Sequence, residues 1–278
     1  MQYMLAATLL WLAAASSADV DRYSDALARE KFFAASVAAY SNNPVRCLGK
    51  IFPENAVYIS GTGVPCPSLA QILSTAVNLA NSSSFELVAL DGGGKVGRLF
   101  DTSFRSLWND DLNVEITTVM TIFPDYDLWL TGHSIGGAMA SIAAYAMTTE
   151  YMVDGAKIKL IVFGAPRIGD ADFAREHGRM LPYSFSVVHA ADPLPHVPTR
   201  NLGFRHHKSQ VFYANACSLE VISSSVLRAK APNVATASRL LSCGTPIISI
   251  IMEWISCKAP INAVNDAAPE EECSDSTG

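Results

Sequence analysis

The sequence predicts an α/β fold, with a mostly parallel central sheet covered by helices on both faces. Short apolar stretches bounded by turn residues alternate along the chain with longer segments at helical spacing. The apolar stretches, such as KIKLIVFG (157–164), are short, and strands that alternate with helices are typical of a parallel sheet covered on both faces. The chain has 278 residues, 50% of them hydrophobic, which is enough for one large domain with its own core.

The N-terminal stretch MQYMLAATLLWLAAASSADV has the pattern of a secretory signal peptide. Its apolar run, 4–15, is too short to span a bilayer, and small residues precede a cleavage site after Ala18. A buried helix is the alternative interpretation. We expect residues 1–18 to be a signal peptide, residues 19–278 to form a single domain, and the protein to be secreted and extracellular.

The next elements follow in chain order. Apolar residues at helical spacing predict an amphipathic helix over 22–41, and NAVYISGTG predicts a short strand with a turn. The remaining predictions, in order, are helices over 68–80 and 96–122, the strand DLWLTG, a small-residue helix over 135–147, the strand 157–164, a helix near 170–180 and the strand YSFSVVHA. Residues 219–268 mix serine clusters with very apolar stretches and fit no regular period.

Composition excludes several classes of function. The net charge is −6 and Lys and Arg form no dense cluster, so we expect no nucleic-acid partner. No HExxH or CxxC pair is present, and we predict no metal and no cofactor. An even number of cysteines in a secreted chain predicts disulfides, although six cysteines allow fifteen pairings. These cysteines are Cys47, Cys66, Cys217, Cys243, Cys257 and Cys273.

The stretch Gly132-His133-Ser134-Ile135-Gly136 fits the G-x-S-x-G pattern of a nucleophile elbow. A strand precedes it and a helix follows, so Ser134 falls on a sharp turn that would project its hydroxyl above the sheet. The amide of Ile135, at the helix N-terminus, would then stabilise a developing oxyanion. An ordinary Gly-rich turn between strand and helix is the alternative.

A nucleophilic serine of this kind needs an acid that follows it in the chain. Asp192 follows the apolar strand YSFSVVHA in a Pro-rich loop, which makes it the leading candidate. It would orient an imidazole and stabilise its charged form. Shaping a turn before Pro193 is the alternative role. Asp170 and Asp172 are weaker candidates, and we expect them to open the helix after Gly169.

Four blocks together resemble the class 3, fungal-type lipases: LTGHSIGGAMASIAA, IKLIVFGAPRIGD, FSVVHAADPLPHVP and FRHHKSQVFY. The resemblance covers roughly residues 126–213. It implies an α/β-hydrolase fold and hydrolysis of carboxylic esters, typically of lipids at a lipid–water interface. It also implies Ser134 as nucleophile, Asp192 as triad acid and the Ile135 amide as an oxyanion donor.

The chain departs from the family pattern at two places. The family's catalytic histidine lies in a C-terminal Asp-His segment, whereas no histidine follows His207 here. His206 and His207 follow Asp192 in the right order, although the resemblance makes the matching histidine a structural residue. The family's oxyanion strand, which ends in an Arg-Gly-Thr-like turn, also has only a partial match, and Thr62 in AVYISGTG is the candidate donor.

Two functions are therefore compatible with the sequence. The first is a secreted lipase-like serine hydrolase that acts on lipid esters of the triacylglycerol type. The alternative is a catalytically impaired or inactive homologue that binds lipid or serves as an interaction protein. No transmembrane span is predicted in either case, and the oligomeric state stays open.

Overall fold

The computed structural model describes residues 9–14, 22–39, 48–49, 51–52, 85–189, 192–207, 209–215 and 218–222. Its strands are β1 (Leu9–Ala14), β2 (Leu87–Ala89), β3 (Lys95–Gly97), β4 (Tyr126–His133), β5 (Ile158–Phe163), β6 (Tyr183–His189), β7 (Ser209–Asn215) and β8 (Ser218–Ile222).

The central sheet has six strands in the order β1-β4-β5-β6-β7-β8. Strands β4, β5, β6 and β7 are parallel to one another, whereas β1 pairs antiparallel with β4 and β8 pairs antiparallel with β7 at the two edges. The predicted mostly parallel sheet is confirmed. Because the parallel strands run the same way, the loops that follow β4, β5 and β6 emerge at one edge of the sheet, where ligands bind in open α/β folds.

Four helical segments accompany the sheet within residues 22–39 and 85–189. Helix α1 (25–38) contains a π-helical turn at Ala28–Phe33, and α2 (98–122) contains another at Trp108–Leu112. Helix α3 (Ile135–Thr149) follows β4, and α4 (Ala171–Met180) lies between β5 and β6. Short 3₁₀ turns occupy Gly155–Lys157, Leu194–His196 and Arg200–Leu202.

Strand β5 shows how the two faces of the sheet are covered. Leu160 and Val162 belong to the core under α2, α3 and α4, whereas Ile161 and Phe163 belong to the core under α1. Successive side chains of a strand point to opposite faces, so an apolar run without alternation serves both layers. The sequence signature of a doubly covered sheet is confirmed by this packing.

Helix α3 lies against the sheet, and every residue from 135 to 148 is buried. A helix that is buried all round cannot carry long side chains towards the sheet, because the backbones must approach closely. Gly137 illustrates the limit, since an added Cβ would lie 3.0 Å from the Ala165 Cβ and 3.2 Å from the Val162 Cβ. The run of Gly and Ala in this helix therefore sets the distance between α3 and the strands.

Two predictions differ from the structure. The helix predicted over 96–122 begins at Arg98, because residues 95–97 pair with Leu87–Ala89 as a hairpin. Residues 9–14 of the predicted signal peptide pair with β4 as strand β1 in the structure, and the signal peptide itself stays a prediction. The start of the atypical segment forms strand β8, whereas its remainder, the NAVYISGTG strand and the helix over 68–80 lie outside the described residues.

Candidate active site

Ser134 joins β4 to α3 in a backbone conformation that residues with a side chain rarely adopt, with φ 59° and ψ −127°. Such strain persists only where the surrounding structure fixes it, and it is common at functional sites. Gly132 permits the turn, because an added Cβ there would lie 2.4 Å from the backbone of Gly136. The predicted strand–turn–helix context of Ser134 is present.

Backbone hydrogen bonds anchor Ser134 at the end of the sheet. Its N–H donates to the Phe163 carbonyl at 3.0 Å, and its own carbonyl accepts from Gly137 at 3.1 Å and Ala138 at 3.3 Å. The side chain is only 6% exposed, and its Oγ makes no hydrogen bond within the described residues. Ile135 is the first residue of α3, so its N–H has no partner within the helix and is available to an incoming oxygen.

Asp192 lies in the loop that follows β6. Its N–H donates to the His189 carbonyl at 3.0 Å, and its Oδ1 accepts from the Leu194 N–H at 2.9 Å. The residue is 5% exposed. Burial raises the pKa of the Asp192 carboxyl to about 7, while the hydrogen bond from Leu194 lowers it.

Gly164 brings Ser134 and Asp192 to one place. It directly follows Phe163, whose carbonyl holds the Ser134 N–H, and an added Cβ would lie 2.7 Å from the Asp192 Oδ2. The added Cβ of Gly164 would also lie 3.5 Å from the His133 Nε2. The loops after β4, β5 and β6 therefore converge here, and the acid sits beside the backbone that carries the serine.

Neither His206 nor His207 forms a hydrogen bond with Ser134 or Asp192 in the described part of the chain. The His206 Nε2 lies 2.6 Å from the Pro195 carbonyl. Burial, followed by the charge of Arg167, holds the pKa of His206 well below its usual value. The His206 imidazole therefore forms its hydrogen bond with the 192–198 loop, and its low pKa makes it a poor proton acceptor.

His207 packs against α4, with its ring 4.0 Å from the His177 ring and 6.1 Å from the Phe173 ring. Phe173 in turn contacts Tyr145, which lies ten residues beyond the start of α3 and so about 15 Å from Ser134 along that helix. Burial lowers the pKa of His207 to about 4. The contacts of His207 therefore lie towards the far end of α3.

Asp170 has the role expected of it, because it caps α4 and its side chain accepts from the Phe173 N–H at 2.8 Å. Asp172 forms an exposed ion pair with Arg175. Thr62 and the six cysteines all lie outside the described residues. The predicted second oxyanion donor and the predicted disulfides therefore stay predictions.

The residues that the structure describes contain no group of three or more His, Cys, Asp or Glu side chains that could hold a metal ion. Among them, no helix is both long enough and apolar enough to cross a membrane.

Sequence reasoning did not single out Gly164 or Arg167 as site residues. Both lie in the GAPRIGD stretch that follows β5, and both contact the Asp192 loop. The available signal was the position of this stretch at the end of a parallel strand, beside the serine turn. The partner loop is distant in sequence, which is why the contacts themselves were not predicted.

Comparison with known proteins places these observations in a family. The sequence model of the family described as Lipase (class 3) matches residues 56–202, just over half of the chain. Lipase ZK262.3 of Caenorhabditis elegans is 30% identical over 202 residues, which cover 64% of this chain and 56% of that protein. Secreted mono- and diacylglycerol lipase 1 of Fusarium solani is 31% identical over 108 residues, covering 38% and 31%.

Solved structures show the same fold. The lipase of Rhizopus microsporus var. chinensis superposes with a TM-score of 0.58 at 21% identity, covering 83% of this chain and 85% of that one. Lipase II of Rhizopus niveus gives a TM-score of 0.56 at 21% identity, covering 80% and 94%. The chain spans between about a third and just over half of the length of the curated relatives named above. With an α/β-hydrolase fold and a family match over just over half of its residues, this chain belongs to the class 3 lipase family.

Proposed function

We propose that this chain hydrolyses carboxylic esters of lipids, with Ser134 as nucleophile and Asp192 as the acid of a catalytic triad. The observation that carries the proposal is the strained turn of Ser134 after β4, held beside a buried Asp192 in the loop after β6, at the end of the intervening strand β5. Relatives named mono- and diacylglycerol lipases favour acylglycerols as substrates. Several of these relatives are named as secreted, which supports secretion of this chain as well.

In this mechanism the Ser134 Oγ attacks the ester carbonyl carbon, and the carbonyl electrons move onto oxygen. The Ile135 N–H donates a hydrogen bond to that oxyanion. A triad of this kind needs an imidazole, oriented by the acid, to take the Ser134 proton and give it to the departing alcohol. His206 and His207 are the candidates for that role, and neither bonds Asp192 in the described part of the chain. Water then attacks the acyl carbon, which releases the fatty acid and restores the serine hydroxyl.

The second candidate function is a non-catalytic lipid-binding homologue on the same scaffold. It is favoured by a specific observation: the Asp192 side chain accepts a hydrogen bond only from Leu194, and none from His196, His206 or His207, within the described residues. In a subtilisin-type enzyme, loss of the triad base lowers kcat by about 10⁶-fold. Oxyanion stabilisation and binding alone would leave roughly 10³- to 10⁴-fold catalysis over water.

Hydrolysis of emulsified mono- and diacylglycerols, with vesicle binding measured in parallel, separates the two functions. The proposed enzyme releases fatty acid, and Ser134→Ala abolishes the release without changing vesicle binding. If wild type and Ser134→Ala bind vesicles equally and neither releases fatty acid above the uncatalysed rate, the non-catalytic function is correct.

A further inference from the structure

Arg167 is a buried cation without an acidic partner in the described part of the chain. It is 6% exposed, and it forms no ion pair with any described carboxylate. Buried arginines are normally paired, because an unpaired charge is costly to remove from water. The position of Arg167 therefore needs another explanation.

The hydrogen bonds of Arg167 all go to one short loop. Its Nη1 donates to the Pro198 carbonyl at 2.9 Å and also to the His196 carbonyl. Its main-chain N–H donates to the Val197 carbonyl at 2.9 Å. One residue thus holds the carbonyl groups of three consecutive residues.

This loop begins with Asp192. The Leu194 N–H binds the Asp192 Oδ1 at 2.9 Å, and the Val197 N–H binds the Leu194 carbonyl at 3.1 Å. The path from Arg167 to the carboxylate therefore consists of consecutive hydrogen bonds through one 3₁₀ turn. Gly164, next to the Asp192 Oδ2, directly follows β5, and Arg167 lies three residues later. Both ends of the 192–198 loop are therefore held by the segment that follows β5.

We propose that Arg167 is a positioning residue for Asp192: it clamps residues 196–198 and so holds the triad acid at the strand end that carries Ser134. This inference rests on the proposed function for its effect on catalysis. The geometry of the clamp itself does not depend on activity.

The charge of Arg167 has a second consequence for the same loop. Burial is the largest cause that lowers the pKa of His196, to about 4, and the pKa of His206. The charge of Arg167 is the second cause for both residues. Both imidazoles therefore stay neutral, and the neutral His206 Nε2 donates to the Pro195 carbonyl. With His206 on residue 195 and Arg167 on residues 196–198, four consecutive carbonyl groups of this largely buried loop are satisfied.

A double-mutant cycle tests the positioning role through the rate at which a phosphonate ester labels Ser134. Arg167→Met keeps the apolar stem but removes the side-chain donors and the charge, whereas Arg167→Lys keeps the charge and a single donor group but loses the guanidinium fork. We expect Arg167→Met to slow labelling by about 10- to 100-fold in the wild-type background, since small displacements of a catalytic group have effects of this size. In the Asp192→Asn background we expect less than about a twofold effect.

The matched control is Arg175→Met, which removes an exposed arginine of α4 that pairs with Asp172 and Glu176. It should leave the labelling rate unchanged. If Arg167→Met slows labelling equally in both backgrounds, Arg167 acts through general stability and the proposal is wrong. If Arg167→Met does not fold, Arg167→Lys carries the same comparison.

Hydrogen exchange keeps the inference testable even if wild type is never labelled, an outcome that would overturn the proposed function alone. Arg167→Met should accelerate exchange of the Leu194 and Val197 amides at least tenfold, while amides within α3 keep their wild-type rates. Unchanged exchange at Leu194 and Val197 would overturn the clamp. NMR titration gives a further readout, since loss of the cation should raise the pKa of His196 and His206.

Discussion

At the scale of single residues, Gly164 controls how closely Asp192 approaches the serine turn. Its φ of +56° is unfavourable for a residue with a side chain, and an added Cβ would lie 2.7 Å from the Asp192 Oδ2. We expect Gly164→Ala to displace the carboxylate, to slow phosphonate labelling of Ser134 and to destabilise the fold by about 2 kcal/mol or more.

The control for this substitution is Gly93→Ala. Gly93 also has a positive φ, +107°, but nothing lies within 4 Å of an added Cβ. It should lose about 1–2 kcal/mol of unfolding free energy from backbone strain and keep the wild-type labelling rate. Equal labelling rates in both variants would show that Gly164 has no bearing on the acid.

The ionisation of Asp192 predicts a pH dependence of stability. Its pKa is raised to about 7, so between roughly pH 4 and pH 7 the folded state keeps a proton that the unfolded state has lost. The stabilisation from this carboxyl is present below about pH 4 and is lost as the pH rises through 7, by up to about 4 kcal/mol. Asp192→Asn cannot ionise and should lack this loss.

Urea unfolding of wild type and Asp192→Asn at pH 4.5 and pH 8 measures the effect. The stability of wild type relative to Asp192→Asn should fall over this interval. A constant difference between the two proteins would mean that the Asp192 carboxyl has an ordinary pKa in the folded state.

Ser134 and its turn could be predicted from sequence because the signal is local: two glycines, a preceding strand and a following helix. Asp192 could be predicted from its place after a strand. Gly164 and Arg167 could not, because their roles depend on contacts with a loop about 30 residues away. His206 and His207 had the right order in the chain, yet order alone gives no distance.

At the scale of elements, a buried pair of imidazoles joins α4 to the segment before β7. The rings of His177 and His207 lie 4.0 Å apart, and burial lowers the pKa of His207 to about 4. Between about pH 4 and pH 6.5 the unfolded state binds a proton at this position that the folded state does not. Stability from neutral His207 is therefore lost as the pH falls through this window.

His207→Phe should reduce this acid sensitivity, because it keeps a ring against Phe173 but cannot be protonated. We expect wild type to lose up to about 3 kcal/mol more than His207→Phe between pH 7.5 and pH 4.5. Unfolding by urea at both pH values gives the comparison. An equal loss in the two proteins would show that His207 does not contribute to the acid sensitivity.

Local sequence patterns do not determine where helix α2 begins. Residues 96–122 have helical composition, but Val96 pairs with Val88 and also bridges to Gly169, so the helix begins only after the hairpin. Tertiary pairing overrides local propensity here. The strands β4, β5 and β6 were easier to predict, because burial on both faces gives each a short, mostly apolar sequence between turn residues.

At the scale of the whole molecule, the N-terminal residues can be either a cleaved signal peptide or strand β1 of the sheet, but not both. Residues 9–14 lie within the predicted signal peptide, and in the structure they pair with β4 at the edge of the sheet. The apolar composition of LLWLAA suits either role. We expect cleavage after Ala18, so protein recovered from the culture medium should begin at Asp19. An intact N-terminus with exchange-protected amides at 9–14 would show that β1 is part of the mature fold.

Sequence alone predicts the central topology at this scale, because alternating strands and helices with right-handed crossovers make a parallel sheet. It does not predict the edges. Strands β1 and β8 come from segments whose patterns indicate a leader and an irregular stretch, and only their pairing with β4 and β7 makes them strands.

Covalent labelling with a lipid-like phosphonate ester, followed by mass spectrometry of the peptides, tests directly whether Ser134 is the nucleophile. We expect one adduct per chain on Ser134, no adduct in Ser134→Ala and a slower reaction in Asp192→Asn. A correctly folded wild-type chain that forms no adduct, or forms it on another residue, would contradict the assignment of Ser134 as the nucleophile.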